Sequence, residues 1–470
     1  MSLAARSMTE LLAAFRASDV SPVDLAHAVL DQTAATEPAL NAFVVREAPE
    51  AVLAQAKAAQ DRWHRGAPAG ALDGIPMTIK DAIITAKWPT RSGSLTTSSE
   101  PGPDDAPAVA RVFEAGAIIV GKTTTPEFGW KAVTDSPLTG ISRNPWNTAL
   151  TPGGSSGGAA AAVAAGHAIA SIGTDAGGSV RIPAAFCGLV AMKATRGRIP
   201  AYPPSAVWTA GHIGPIARTV ADTALLLDVM TRADARDWNA LPPPQESYVA
   251  GLPTDGDAKG LRIAYSPTLG HAKVHPEVAD LVDRAARRFE ELGSHVEVVD
   301  TPLPDARDAF NVYFQTGIAH SLRRLTPEAV ARLDPGLAAV LIESKAVSRE
   351  TFLEAYDFQI RISREARRFH QDYDVLITPT VAVPPFAAGR LSPPGYDQAN
   401  WLEWSPFTYP FNLSGQPAMS LNCGYTRAGL PVGLQLVGPM YGEAVLLRAS
   451  RSFEASIAHE ARRLPVFVEA

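Results

Sequence analysis

Hydrophobic and polar positions along the chain follow two different periods. Over the first sixty residues the apolar positions Leu11, Leu12 and Phe15, and then Leu25 and Val29, recur at helical spacing. Each set follows a hydroxyl placed three residues before a carboxylate, in Ser7-Met8-Thr9-Glu10 and Ser21-Pro22-Val23-Asp24. That order predicts reciprocal helix caps, with Pro22 at a first helical position where its missing N–H costs nothing. From about residue 70 short apolar runs alternate with longer amphipathic segments, and strands are predicted at 118–120, 261–265, 296–299, 375–377 and 432–437. Residues 261–299 spell strand, helix from Pro276 to near Gly293, then strand. This βαβ syntax predicts a parallel or mixed sheet covered by helices. Residues 232–260, with Pro242-Pro243-Pro244 and scattered Gly and Asp, read as a flexible connection. A second long loop, 384–410, carries Tyr396, Trp401, Trp404, Phe407 and Tyr409, and its length predicts a functional or mobile segment.

Composition narrows the class. The 470 residues are 46 % hydrophobic and 19 % charged, enough for a large buried core. Length alone suggests about three domains at ~150 residues each. The net charge is −6 and no basic cluster stands out, which argues against a nucleic-acid partner. No stretch reaches the ~20 apolar residues of a membrane span. The first residues lack the charged, apolar and cleavage segments of a secretory signal. Cys187 and Cys423 are too few for a disulfide framework or a thiolate zinc site. These features predict a cytoplasmic enzyme that uses neither metal nor cofactor.

One motif misleads. Gly116-Ala-Ile-Ile-Val-Gly121-Lys122-Thr123 matches the phosphate-loop pattern letter by letter. A phosphate loop follows its strand, whereas Ile118, Ile119 and Val120 are the strand-formers here, and Pro126 stops any helix. A buried strand ending in a turn is the better expectation.

The candidate chemistry lies further on. Thr151-Pro152-Gly153-Gly154-Ser155-Ser156-Gly157-Gly158 runs directly into an alanine-rich helix, which fits a linker poorly. Twenty-four residues after Ser155 comes Ser179, in Thr174-Asp175-Ala176-Gly177-Gly178-Ser179. Strand, tight glycine turn, serine and helix is the arrangement of an exposed nucleophile with backbone N–H groups ready for an oxyanion. None of the ten histidines lies in either loop. Lys80, closing the apolar run Gly74-Ile75-Pro76-Met77-Thr78-Ile79, offers another base. Burial disfavours the ammonium, and a fall from ~10.4 to ~7.5 amounts to roughly 4 kcal/mol.

With these segments the chain resembles the amidase signature family. The resemblance rests on Lys80 in its motif, Gly153 to Gly158, Thr174 to Pro183, Asn144-Pro145-Trp146 and Phe186-Cys187-Gly188-Leu189. It continues through Tyr373 to Pro379 and Phe411-Asn412-Leu413-Ser414-Gly415. It implies one α/β/α domain over 1–470 with a large mixed sheet surrounded by helices, so the three-domain expectation yields. Within that domain, 1–65 would form a helical segment packed on the rest and 66–231 the core carrying the motifs. Residues 232–260 would be the connection, and 261–470 the remaining sheet and substrate loops. The resemblance implies Ser179 as nucleophile, Ser155 after a cis peptide as bridge and substrate contact, and Lys80 as base. It implies an oxyanion hole from the N–H groups of Ala176, Gly177, Gly178 and Ser179. Ser156, Asp175 and Arg181 would brace the loop, and Gly129 would touch substrate through its backbone. A non-catalytic scaffold would be expected to have lost Lys80, Ser155 or Ser179, and all three are present.

Two activities within the family compete. Glutaminase subunits of tRNA-dependent amidotransferases hold glutamine with an Asp two positions before a Phe-Thr pair; here that residue is Ser405, before Phe407-Thr408. Residues 337–342 also lack an arginine to clamp a carboxylate. The aromatic loops, Tyr202-Pro203-Pro204 with Trp208 and the stretch from Tyr396 to Tyr409, suit apolar or aryl substrates. The favoured expectation is therefore a stand-alone hydrolase of such amides, reaching carbamates and esters, working as monomer or homodimer on a small molecule away from membranes. Arg198 is expected to make a structural ion pair in preference to guarding the entrance.

Overall fold

The computed structural model describes residues 2–253, 258–457 and 465. Both predicted helix starts form. Ser7 Oγ accepts from the Glu10 N–H at 3.2 Å while Glu10 Oε2 accepts from the Ser7 N–H at 2.9 Å. Ser21 and Asp24 repeat the exchange at 3.1 and 2.9 Å. These boxes open helices Met8–Ala17 and Pro22–Leu40.

The strands in chain order are β1 (Phe43–Arg46), β2 (Pro76–Lys80), β3 (Ile118–Thr123), the small ribbon β4 (Asp135–Ser136) with β5 (Gly140–Ile141), β6 (Ala170–Asp175) and β7 (Val190–Lys193). They continue as β8 (His212–Ala217), β9 (Arg262–Tyr265), β10 (His295–Val298), β11 (Val375–Pro379), β12 (Ala418–Tyr425) and β13 (Pro431–Val437). Apart from the ribbon they form one sheet of 11 strands, in the order β1-β3-β2-β6-β8-β7-β12-β13-β11-β9-β10. β2 runs parallel to β3 and β6, and β9 parallel to β10 and β11. The strands between β6 and β11 pair antiparallel. The fold is thus a single α/β domain with a large mixed sheet surrounded by helices, and the βαβ unit over 261–299 is present as β9, helix Pro276–Glu291 and β10.

Helix Gly157–Ala165 is buried all round. Its residues are only Gly, Ala and Val, so it lies close to both the sheet and helix Pro22–Leu40. At Gly158 a Cβ would overlap Thr124 Oγ1 and approach the Thr124 nitrogen to 2.6 Å, so only glycine fits. The phosphate-loop look-alike is β3, as its β-branched residues require. Lys122 is spent internally, on Asp81 at 3.2 Å, the Pro89 carbonyl at 2.9 Å and Thr90 Oγ1 at 2.7 Å.

Two expectations about loops change. Residues 232–253 are tied down: Asp228 accepts from Tyr248 N at 2.7 Å and Val249 N at 3.2 Å, and Arg198 holds the Pro242 carbonyl at 2.8 Å. Residues 254–257 of that predicted connection lie outside the described residues. The 384–410 segment is packed, because its aromatic rings fill the core. Trp404 stacks on Phe186 with ring centroids 5.9 Å apart, and Phe407 and Tyr409 are fully buried.

Candidate active site

The site forms where parallel strands β2 and β6 end side by side, the usual place for ligands in such sheets. Their register sets Ile79 opposite Ile172. Lys80, the last residue of β2, therefore emerges beside Thr174 near the end of β6. Its Nζ lies 2.6 Å from Ser155 Oγ and 2.7 Å from Thr174 Oγ1. Lys80 is fully buried, and loss of hydration pushes its ammonium down to about 7 against an opposing pull from Asp175.

Ser155 follows a cis peptide, Gly154–Ser155. Thr134 anchors this loop at both ends, donating to the Gly153 carbonyl at 2.8 Å and accepting from the Gly157 N–H at 3.1 Å. Ser156 stitches it to the next loop. Its Oγ donates to the Thr174 carbonyl at 3.2 Å and accepts from the Thr174 N–H at 3.3 Å, while its N–H meets the Ser179 carbonyl at 3.1 Å.

Ser179 is half-buried on the turn between β6 and helix Arg181–Cys187. Asp175 organises that turn. Its carboxylate accepts from Gly178 N at 2.8 Å and Val180 N at 3.3 Å, and from Arg181 Nε and Nη2, both at 2.9 Å. Burial would raise the Asp175 pKa, but the Arg181 guanidinium holds the carboxyl well below the usual range. Arg181, also fully buried, reaches the Thr408 carbonyl at 3.0 Å, Gln435 Oε1 at 2.8 Å and Asn412 Oδ1 at 2.7 Å. Thr408 Oγ1 in turn donates to the Gly177 carbonyl at 2.6 Å. The turn is thus clamped from the far half of the sheet.

The expected oxyanion donors divide. The N–H groups of Ala176, Gly177 and Ser179 meet no acceptor among the described residues. The Gly178 N–H instead donates to Asp175 Oδ1, three residues back in the same turn. Gly129, at φ 70°, comes so close that a Cβ would stand 3.3 Å from Ser155 Oγ.

A cavity of about 360 Å³ opens onto Ser155, Thr174, Ala176 and Gly129. Ile83, Ile84, Phe128, Val207, Phe314 and Ile318 supply much of its wall, and no Asp, Glu, Lys or Arg among the described residues contributes to it. Tyr202, Pro203 and Pro204 line it as anticipated, whereas Trp208 and the aromatic residues Tyr396 to Tyr409 do not. Ser405 is buried, donating to the Trp401 carbonyl at 2.9 Å, and lies outside the cavity wall. Arg198 lies 3.8 Å from Glu443, an ion pair and not a gate. No group of His, Cys, Asp or Glu that could hold a metal occurs among the described residues. No helix among them is long and apolar enough to cross a membrane.

Sequence reasoning assigned no role to Thr174, Thr408, Asn412, Gln435 or His212. Thr174 and Asn412 lie within the family motifs, so those motifs held a signal; Gln435 looks like any polar residue in a strand.

The family model described as Amidase matches residues 24–447. An acylamidase of Rhodococcus erythropolis is 35 % identical over 456 residues, covering 96 % of this chain and 95 % of that protein. A glutamyl-tRNA(Gln) amidotransferase subunit of Chloroflexus aurantiacus is also 35 % identical, covering 95 % and 96 %. The crystal structure of a bacterial aryl acylamidase of the amidase signature family superposes with a TM-score of 0.88 at 27 % identity, over 96 % of each chain. With its motifs gathered at one end of one mixed sheet, the chain belongs to the amidase signature family of amide-hydrolysing enzymes.

Proposed function

We propose that the protein is a stand-alone serine hydrolase that cleaves the C–N bond of apolar or aryl amides through an acyl-enzyme, and that carbamates and esters are within its reach. The observation that carries this reading is the cavity beside Ser155, which no charged side chain among the described residues lines. An apolar acyl or aryl group gains by leaving water there, while a zwitterionic amino acid would lose hydration with nothing to replace it. No metal or cofactor is required in this scheme, and the enzyme acts in the cytoplasm as monomer or homodimer.

Ser179 Oγ attacks the carbonyl carbon and forms the new C–O bond. Its proton passes to Ser155 Oγ as Ser155 gives its own to neutral Lys80 Nζ along their 2.6 Å contact. The carbonyl oxygen, now an anion, is received by the free N–H groups of Ala176, Gly177 and Ser179. Return of the proton from Lys80 through Ser155 to the amide nitrogen lets the C–N bond break and the amine leave. Water then repeats the sequence on the acyl-Ser179 ester and releases the acid. Thr174 Oγ1 holds Lys80 Nζ in line, and the Asp175–Arg181 pair keeps the turn shaped.

Labelling with phenylmethylsulfonyl fluoride followed by peptide mapping, alongside turnover of p-nitroanilide, primary amide, carbamate, ester and glutamine substrates, tests the proposal. It expects the adduct on Ser179 and preference for an apolar anilide. An adduct elsewhere overturns the nucleophile. Similarity to amidotransferase subunits favours a second reading, a glutaminase that feeds ammonia to a partner. Hydrolysis of glutamine alone from the panel would select it.

A further inference from the structure

Helix Arg349–Asp372 turns one face inward and leaves the other uncovered. Ala355, Gln359, Ile362 and Ala366 form the buried face, and the helix packs against helix Arg307–Ser321, the source of the cavity residues Phe314 and Ile318. The outer face carries Leu353, Tyr356 and Ile360, exposed by 51, 46 and 56 %. Spaced three and four residues apart, they line up as one apolar seam. Single exposed apolar residues need no explanation, but a seam at helical spacing does. Charges run beside it. Glu350, Glu354 and Asp357 follow one another at gaps of four and three residues, and Arg361, Arg364 and Arg368 at gaps of three and four. All six are exposed, and with about 3.6 residues per turn they fall on the same flank of the seam. The helix dipole favours acids near an N-terminus and bases near a C-terminus, but it acts within the first and last turns, and Glu354 to Arg364 lie between them. Glu350 and Arg364 form ion pairs only with their chain neighbours, Arg349 at 3.1 Å and Glu365 at 3.0 Å, in contacts open to water.

Read backwards, the basic series has the spacing of the acidic one. We infer that this face binds a second copy of the chain, the two Arg349–Asp372 helices lying antiparallel about a twofold axis at the level of Gln359. In such a contact residue i meets j and j meets i. One register then pairs Glu350 with Arg368, Glu354 with Arg364 and Asp357 with Arg361, each of them twice, and brings Tyr356 and Ile360 of the two copies together at the centre. Parallel helices would set acid against acid and base against base. The apolar seam supplies the driving force, and the exposed ion pairs fix orientation and register. An anionic lipid surface fits this face less well, because it would meet Glu350, Glu354 and Asp357 along with the arginines. The contact is independent of which amide the enzyme takes.

Sedimentation velocity of the full chain over a range of concentrations tests this, with circular dichroism to check that each variant is folded. The parent protein should sediment as a dimer that dissociates on dilution. Glu354→Arg and Arg364→Glu each set like charges opposite one another, and each should weaken self-association by about tenfold or more. Mixed in equal amounts, the two variants should associate again, because each offers the charge that the other lacks. The double variant Glu354→Arg/Arg364→Glu should recover self-association by the same logic. A parent protein that stays monomeric at every concentration overturns the inference. So does a dimer that neither single substitution weakens, or a pair of variants that stays apart on mixing. Binding of a monomeric parent protein to phosphatidylserine vesicles, lost in Arg364→Glu, would assign the face to a lipid surface instead.

Discussion

Lys80 Nζ lies 2.6 Å from Ser155 Oγ, although 75 positions separate them in the chain. The lysine is fully buried at the end of a strand, and no carboxylate among the described residues pairs with it at close range. A lysine so placed is cheaper to keep neutral than charged, and a neutral lysine can accept a proton.

This sets the pH dependence. Below about 7 Lys80 is protonated and cannot accept from Ser155. Under the proposed mechanism kcat/KM for an anilide should rise about tenfold per pH unit up to that point and level off above it. A stopped-flow or steady-state profile from pH 5 to 10 checks this. A limb that keeps rising to ~10 would mean Lys80 retains its ordinary ionisation.

Truncations should separate the three roles. Ser179→Ala removes the nucleophile and should lower turnover by about four orders of magnitude or more. Lys80→Ala should damage anilide cleavage far more than ester cleavage, because an amine must be protonated to leave and a phenoxide need not. Ser155→Ala should fall between, and Lys80→Ala/Ser179→Ala should be scarcely worse than Ser179→Ala alone. Amide and ester rates on folded variants decide each point. Equal loss on both substrates in Lys80→Ala would remove its role as proton donor to the leaving group.

Gly129→Ala should act on Ser155 from the side. Its Cβ would stand 3.3 Å from Ser155 Oγ, on a backbone at φ 70° that alanine adopts only with strain. A stability loss of about 1 kcal/mol and a fall in kcat of roughly tenfold or more are expected. Urea denaturation and anilide turnover measure the two. Undiminished kcat would show that Ser155 tolerates the displacement.

The Asp175–Arg181 pair should govern stability as well as shape. Arg181→Leu strands a buried carboxylate and should cost about 3–5 kcal/mol. Asp175 is held below its unfolded value of ~3.9, so its contribution is complete above that pH and lost as pH falls toward the lower folded value. Denaturation midpoints should therefore drop on acidification in the parent protein and change less in Arg181→Leu.

Much of this is legible in the chain alone. The capping boxes at Ser7 and Ser21 involve neighbours three residues apart, and the βαβ unit over 261–299 is written in local periodicity. The two serines stand out because a glycine-rich turn running straight into an apolar helix fits a linker poorly, and Lys80 joins them through the family resemblance. The phosphate-loop look-alike fails for a local reason too, since Ile118, Ile119 and Val120 prefer a strand. Residues 384–410 mislead because an aromatic ring looks the same whether it faces a ligand or fills a core.

What the sequence determined by itself was therefore short-range: caps, strands, turns and the chemical types at the site. The tertiary structure decided which distant groups meet. Gln435, Asn412 and Thr408 reach the turn around Asp175 only because the sheet folds β13 and the segment before β12 against it. The Nε2 of His212 is left without a donor among the described residues, through packing that no local pattern encodes. Caps and strand preferences are set by a few neighbouring torsions, whereas hydrogen-bond partners and burial depend on where the whole chain closes.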